Sequence, residues 1–180
     1  MGALVVASAV SVEEYLSNPA YEHCEYVNGE VVALNVGTFQ HAQIQMNCAY
    51  EIRSYLKFHP GGSGGTELHC RLTINGQVCY RLPDVALLLR KAPTGARYLE
   101  GAPDLVVEIR SPDDTLASLF AKMNDYFANG AKVGWVILPE EQTVLVLTPT
   151  APPAALVAGE TIEGGDIIPG LSVAVSDLFA

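Results

Sequence analysis

Two short apolar runs, each carrying one acid, constrain this chain more than any other feature. Asp84-Val85-Ala86-Leu87-Leu88-Leu89 follows Pro83, and Leu105-Val106-Val107-Glu108-Ile109 precedes Arg110. Runs of this length, rich in Val, Leu and Ile, read as central strands covered on both faces. A carboxylate in such a strand is costly unless a cation or strong donors satisfy it. Two carboxylates on neighbouring strands meet that need together by sharing a divalent metal. Side chains alternate along a strand, so Glu108 and Arg110 are expected on one face with Ile109 opposite. Asp84, Glu108 and the backbone carbonyl of Ile109 then surround one ion, and oxygen donors favour Mg²⁺ or Mn²⁺ over zinc. A cation at 110 would orient a nucleophile or neutralise a phosphate.

The rest of the chain supplies the frame. Residues 11–19 read as a short helix closed by Asn18-Pro19. Cys24 to Val27, Asn28-Gly29 and Glu30 to Leu34 form a strong hairpin signal. A two-residue turn sets Val27 opposite Glu30 and Glu25 opposite Val32, which puts both glutamates on one face. Residues 39–58 have helical spacing, and Gly61 to Gly65 is expected to be a flexible loop. A second hairpin turns at Asn75-Gly76 and runs into Pro83-Asp84. The segment 91–103 reads as a linker. Ser111-Pro112-Asp113-Asp114 offers caps for a helix with Leu116, Leu119, Phe120, Met123 and Phe127 on one face. Strands are expected at 133–138 and 143–147, with short extended pieces near 155–157 and 171–175. Strand, helix and strand over 105–138 suggest a right-handed parallel crossover. The expected class is α/β (α+β): a mixed central sheet flanked by helices, with N-terminal hairpins. Residues 1–10 read as a flexible start, and 11–180 as one domain.

Composition narrows the classes. No run reaches membrane-spanning length, and the apolar start lacks the basic region of a signal peptide. The four cysteines form no C-x-x-C pair, which suggests reduced thiols and a cytoplasmic protein. His23-Cys24 and His69-Cys70 lack the spacing of a structural zinc site. A net charge of −10 argues against a protein that coats nucleic acid non-specifically. It leaves room for a nuclease whose acids sit at a metal.

Pro-Asp followed by an acid-x-cation triplet on the next strand resembles the PD-(D/E)xK nuclease signature. A wider ordered set resembles one family within that superfamily, the Uma-two restriction-endonuclease-like proteins common in cyanobacteria and related bacteria. The set comprises Tyr21 to Leu34, His41, Pro83-Asp84, Gly101 to Glu108, Ser111-Pro112, Lys122, Tyr126 and Gly130. The resemblance runs from about residue 11 to the C-terminus and implies a restriction-endonuclease-like fold. It also implies Mg²⁺- or Mn²⁺-dependent cleavage of nucleic acid, DNA first, by a homo-oligomer with a dimer favoured. Asp84 and Glu108 correspond to the metal ligands and Glu25 to the upstream acid, while Glu30 and His41 are further candidates. The triplet departs from the pattern in ending with Arg110. Arginine stays protonated and cannot act as a base, so the lysine's role falls to either Arg110 or Lys122.

Each residue also has a structural explanation. Asp84 starts a strand, Glu108 pairs with Arg110 or Lys122, hairpin glutamates are solvated, His41 caps a helix, and Tyr126 and Trp135 fill the core. Two other functions compete with the nuclease. A non-catalytic binding or assembly module on the same fold is suggested by Arg110 and the charge of −10. A metal-free acid–base hydrolase would use Glu25 and Glu108.

Overall fold

A computed structural model of the protein describes residues 4–34 and 37–180. The first part contains β1 (Val5–Ala7), α1 (Val12–Ser17), β2 (Cys24–Val27), β3 (Glu30–Ala33) and α2 (Phe39–Phe58). Then come β4 (Ser63–Thr66), β5 (Cys70–Ile74), β6 (Gln77–Arg81), β7 (Val85–Leu88), β8 (Leu99–Glu100) and β9 (Leu105–Ile109). The last part holds α3 (Leu116–Ala128), β10 (Val133–Leu138), β11 (Thr143–Leu147), β12 (Ala154–Val157), β13 (Thr161–Glu163), β14 (Ser172–Ala174) and α4 (Val175–Leu178).

Local chemistry accounts for the elements that set the site. Asn28-Gly29 and Asn75-Gly76 all take positive φ, the requirement of the tight turn that matches strand twist. The first turn fixes Val27 opposite Glu30 and Glu25 opposite Val32, in the expected register. Thr38 caps α2 by accepting from the His41 N–H. The cap of α3 is Thr115, in a reciprocal box with Ser118, rather than the expected residues 111–114. Asp114 accepts from Ser111 N–H and closes the turn before that cap.

The strands form two mixed sheets of six and a β13–β14 pair. One large sheet runs β1-β3-β2-β6-β5-β8 and the other β12-β11-β10-β9-β7-β4. In the second, β9 and β10 are parallel around the α3 crossover, while β7 runs antiparallel to β9. Ile44, Cys48 and Ile52 of α2 pack on one face of that sheet with Val85, Val107 and Ile109. Leu119, Met123 and Tyr126 of α3 pack on the other with Val106 and Val136, beside Cys70 and Leu72 of the first sheet. The four cysteines are buried and free.

Several segments differ from expectation. Val5–Ala7, within the expected flexible start, pairs with β3. The expected glycine loop forms β4, paired along its length with β7. The reason is steric: α2 lies so close that a Cβ on Gly62 would stand 2.7 Å from Leu56 Cδ2 and 2.8 Å from the Leu88 carbonyl oxygen. Glycine is needed there to let helix and sheet approach, not to keep a loop mobile. The 91–103 linker contributes β8, which joins β5, and the tail adds β13 and α4 to the expected extended pieces.

Gly62→Ala should therefore destabilise the protein by about 1–3 kcal/mol. Gly65→Ala, where a Cβ meets nothing within 4 Å, should stay within about 0.5 kcal/mol of wild type. Urea denaturation of the two variants checks the contrast.

Candidate active site

Val85 pairs with Val107 and Leu87 with Leu105, so Asp84, one residue before β7, lies level with Glu108. Asp84 Oδ2 accepts from the Ile109 N–H at 2.7 Å and stands 3.4 Å from His41 Nε2. Gln45 Nε2 donates to the Asp84 carbonyl at 3.0 Å, which ties the start of β7 to α2. Backbone N–H and C=O of one strand residue point to the same side, so the Ile109 carbonyl also faces the Asp84 edge. Asp84, Glu108, Ile109, His41 and Lys122 all line one cleft of about 380 Å³.

Glu108 lies behind that edge. Tyr126 Oη donates to Glu108 Oε1 at 3.0 Å, and Lys122 Nζ reaches Oε2 at 3.3 Å. The same ammonium lies 3.3 Å from Glu25 Oε1. Residues four apart on a helix share a face, which is why Lys122 and Tyr126 of α3 meet one carboxylate. Arg81, at the end of β6, bridges Glu25 at 2.7 Å and Asp125 at 2.6 Å. The Leu82 N–H also approaches Glu25, at 3.4 Å.

Electrostatics separates the two buried glutamates. Burial raises the pKa of Glu25, but the charges of Lys122 and Arg81, with hydrogen bonds from Arg81 and the Leu82 N–H, outweigh it and hold the carboxyl below its ordinary value. Burial of Glu108 prevails over its long contact with Lys122, and Asp84 and Glu25 add repulsion, so its pKa is pushed up to about 7. Lys122 loses to burial but gains more from Glu108 and Glu25, and it stays charged. The hydrogen bond to Asp84 raises His41 against burial.

The fold thus gathers Asp84, Glu108, Lys122, Glu25 and His41. Glu30 shares the face of Glu25 but lies farther out, exposed, in an adjoining cavity. Arg110 does not join them. The strand ends at Ile109, and the guanidinium turns to Glu140 and Glu141, at 3.2 and 2.8 Å. The Arg110 N–H still bonds the Ile137 carbonyl at 2.9 Å, but these two glutamates, on the turn after β10, hold the guanidinium away from Glu108, so the expected pairing of the two side chains at the site is not formed. Residues not foreseen as part of the cluster are Arg81, Asp125 and Gln45, together with the hydrogen bond of Tyr126. Only the Lys122–Tyr126 spacing signalled any of this.

Among the described residues, no three His, Cys, Asp or Glu side chains form a ready-made metal cage. Charge and donor type nevertheless suit a divalent cation. Among the described residues, Glu25, Glu108, Asp84 and Asp125 have Arg81, Lys122 and His41 as their counter-charges within ion-pair distance. Asp84 and Glu108 offer hard oxygen donors at the cleft, of the kind Mg²⁺ and Mn²⁺ take.

Two consequences are measurable. Arg81→Met leaves Asp125 without its cation and the buried Glu25 with Lys122 alone, and should cost about 3 kcal/mol, read by chemical denaturation at neutral pH. The pH dependence has a definite sign. Folded Glu108 binds a proton more tightly than unfolded Glu108, so stability falls as pH rises from about 4.5 to about 7. His41, also raised, loses its contribution in the same direction, above its ordinary 6.5. Glu25 acts oppositely, and its contribution is lost as pH drops below 4.5. In EDTA, wild-type Tm should decline with rising pH over this neutral range, and Glu108→Gln should flatten that decline, as thermal scans at several pH values would show.

Known proteins show the family and the fold. A family model described as "Uma2: Putative restriction endonuclease" matches residues 12–176. The chain is also similar to the crystal structure of a "putative nuclease belonging to DUF820" from Anabaena variabilis ATCC 29413. The two are 25% identical with a TM-score of 0.80, over 94% of this chain and 97% of that one. No curated protein matches. The fold is restriction-endonuclease-like, and no helix among the described residues is long and apolar enough to cross a membrane. With residues 12–176 of its 180 covered by the family model, the chain belongs to the Uma2 family.

Proposed function

We propose that this protein is a metal-dependent nuclease that hydrolyses phosphodiester bonds, with DNA as the first substrate to test. One observation carries the proposal: Asp84 and Glu108 sit level on adjacent strands at one cleft, with Lys122 on Glu108. Asp84, Glu108 and the Ile109 carbonyl would hold Mg²⁺ or Mn²⁺. When bound, the ion supplies an activated water and Lewis-acid stabilisation of charge on the phosphate.

The chain's own groups do the rest. Lys122, kept charged by two buried carboxylates, orients the nucleophile beside Glu108 and offsets phosphate charge. Glu25 positions Lys122 from the far side, and Arg81 positions Glu25. His41 holds the outer side of Asp84. A non-catalytic module was suggested by arginine in the triplet, and Lys122 beside Glu108 supports the enzyme instead.

Mn²⁺ titration by calorimetry, beside cleavage assays, tests the proposal. Asp84→Ala and Glu108→Ala should lose saturable Mn²⁺ binding and cut DNA at least about 100-fold more slowly. Lys122→Met should keep Mn²⁺ binding and lose cleavage by a comparable factor of roughly 100. Cleavage by wild type that survives EDTA would favour the metal-free acid–base hydrolase.

A further inference from the structure

A second cavity, of about 570 Å³, lies beside the catalytic cleft between α2 and the edge strand β4. Arg53, Lys57 and Lys91 line it, and no acid does. This is unexpected on a chain with net charge −10 and only 10 Lys and Arg. Among the described residues, Arg71, Arg81, Arg110, Lys122 and Lys132 each lie within ion-pair distance of a carboxylate. Arg53, Lys57, Arg90, Lys91 and Arg97 do not, so the groove takes most of the uncommitted positive charge. Lys57 lies in the last turn of α2 and complements the helix dipole there. Arg53, a turn earlier, and Lys91, on a separate segment, have no such role.

The groove and the cleft abut. Thr66 and Val85 line the groove, while their chain neighbours Glu67 and Asp84 line the cleft. The helix α2 borders both, with His41 and Gln45 over the cleft and Ala49 and Ile52 over the groove. At 1.5 Å per residue, Arg53 lies about 18 Å along α2 from His41. One strand of B-form duplex places roughly five phosphates over such a length. The groove floor suits close approach of a polymer backbone: at Gly65 a Cβ would meet nothing within 4 Å, and β4 is the sheet's outer strand, whose edge can present N–H groups to anions.

The geometry points to this groove as the track for the nucleic-acid backbone on one side of the scissile bond, with Arg53, Lys57 and Lys91 gripping its phosphates. The assignment rests on the nuclease proposal and adds where the substrate strand lies. It accounts for how a strongly acidic protein holds a polyanion: three of the five cations without a carboxylate partner among the described residues line one track, and no acid lines it. Phosphate contacts of this kind carry affinity without base preference.

The test is fluorescence anisotropy with a fluorescein-labelled DNA duplex and its single strand, in EDTA, over a range of KCl. Wild type is compared with Arg53→Gln/Lys57→Gln/Lys91→Gln and with a control of equal charge change elsewhere, Arg71→Gln/Arg97→Gln/Lys132→Gln. Thermal scans verify that both variants fold. The groove variant should weaken binding at least about 10-fold at low salt. It should also lower the slope of log K against log[salt] by about 2.7 for duplex or about 2.1 for single strand. The control should move neither by as much. Equal losses in both variants would show bulk charge at work and overturn the groove. So would an unchanged affinity in the groove variant, and if wild type still bound Mn²⁺ and cleaved DNA, the nuclease would stand without it. Groove-dependent binding by a wild type that never cleaves would keep the groove and remove the nuclease. Wild type that neither binds oligonucleotide nor cleaves would overturn both.

Discussion

Lys122 stands between two buried carboxylates that belong to different sheets. Glu25 comes from the hairpin sheet, Glu108 from the central sheet, and the lysine from the crossover helix packed between them. Buried ion pairs add little net stability compared with well-packed apolar side chains, since desolvation offsets most of the attraction. What this arrangement supplies is geometry. An ammonium shared at 3.3 Å on each side fixes how the N-terminal hairpin, α3 and β9 sit relative to one another. Arg81 extends the same logic by holding Glu25 and Asp125 together.

That arrangement leaves the two glutamates unequal. Glu25 has an arginine, a lysine and a backbone donor, so its negative charge is met. Glu108 has a shared lysine and a tyrosine hydroxyl, and Asp84 adds repulsion. The unmet charge is therefore at one end of two interior strands of the central sheet, where β7 starts and β9 finishes at the cleft. Perturbed carboxyls arise both in structural ion-pair networks and at functional sites. Glu25 is satisfied by its partners, and the deficit at Glu108 is what the metal reading proposed above would use.

Net charge alone hides this organisation. At −10 the chain is a poor candidate for polyanion binding. The field near any one surface depends on where the charges are, and five of the cations are committed to carboxylate partners in the fold. The apparent conflict between an acidic protein and a nucleic-acid substrate arises from summing over the whole surface. On the proposal made above, the conflict is local: a groove with a basic lining adjoins a cleft with an acidic one.

Local rules made much of the frame legible. Asn-Gly turns specify register, so the pairing of Glu25 with Val32 and the shared face of Glu25 and Glu30 followed from two residues. The span of α2 followed from apolar spacing and the His59-Pro60 stop. Asp84 and Glu108 stood out because an acid in an apolar strand demands a partner. What sequence could not show were the partners, which come from distant segments. Arg81 reaches Asp125, and α2 presses so close to residues 62–64 that glycine is required, making a strand of an apparent loop. Alternation did not place the Arg110 guanidinium, because its carboxylate partners, Glu140 and Glu141, come from the turn after the next strand. The sequence by itself determined the two long helices, the Asn-Gly hairpins with their registers, the central strands and the two acids they carry. Only the tertiary structure decided that Lys122 serves both buried glutamates and that Arg110 belongs to a peripheral ion pair, because charge partners are set by distances in space and local chain patterns carry no record of those.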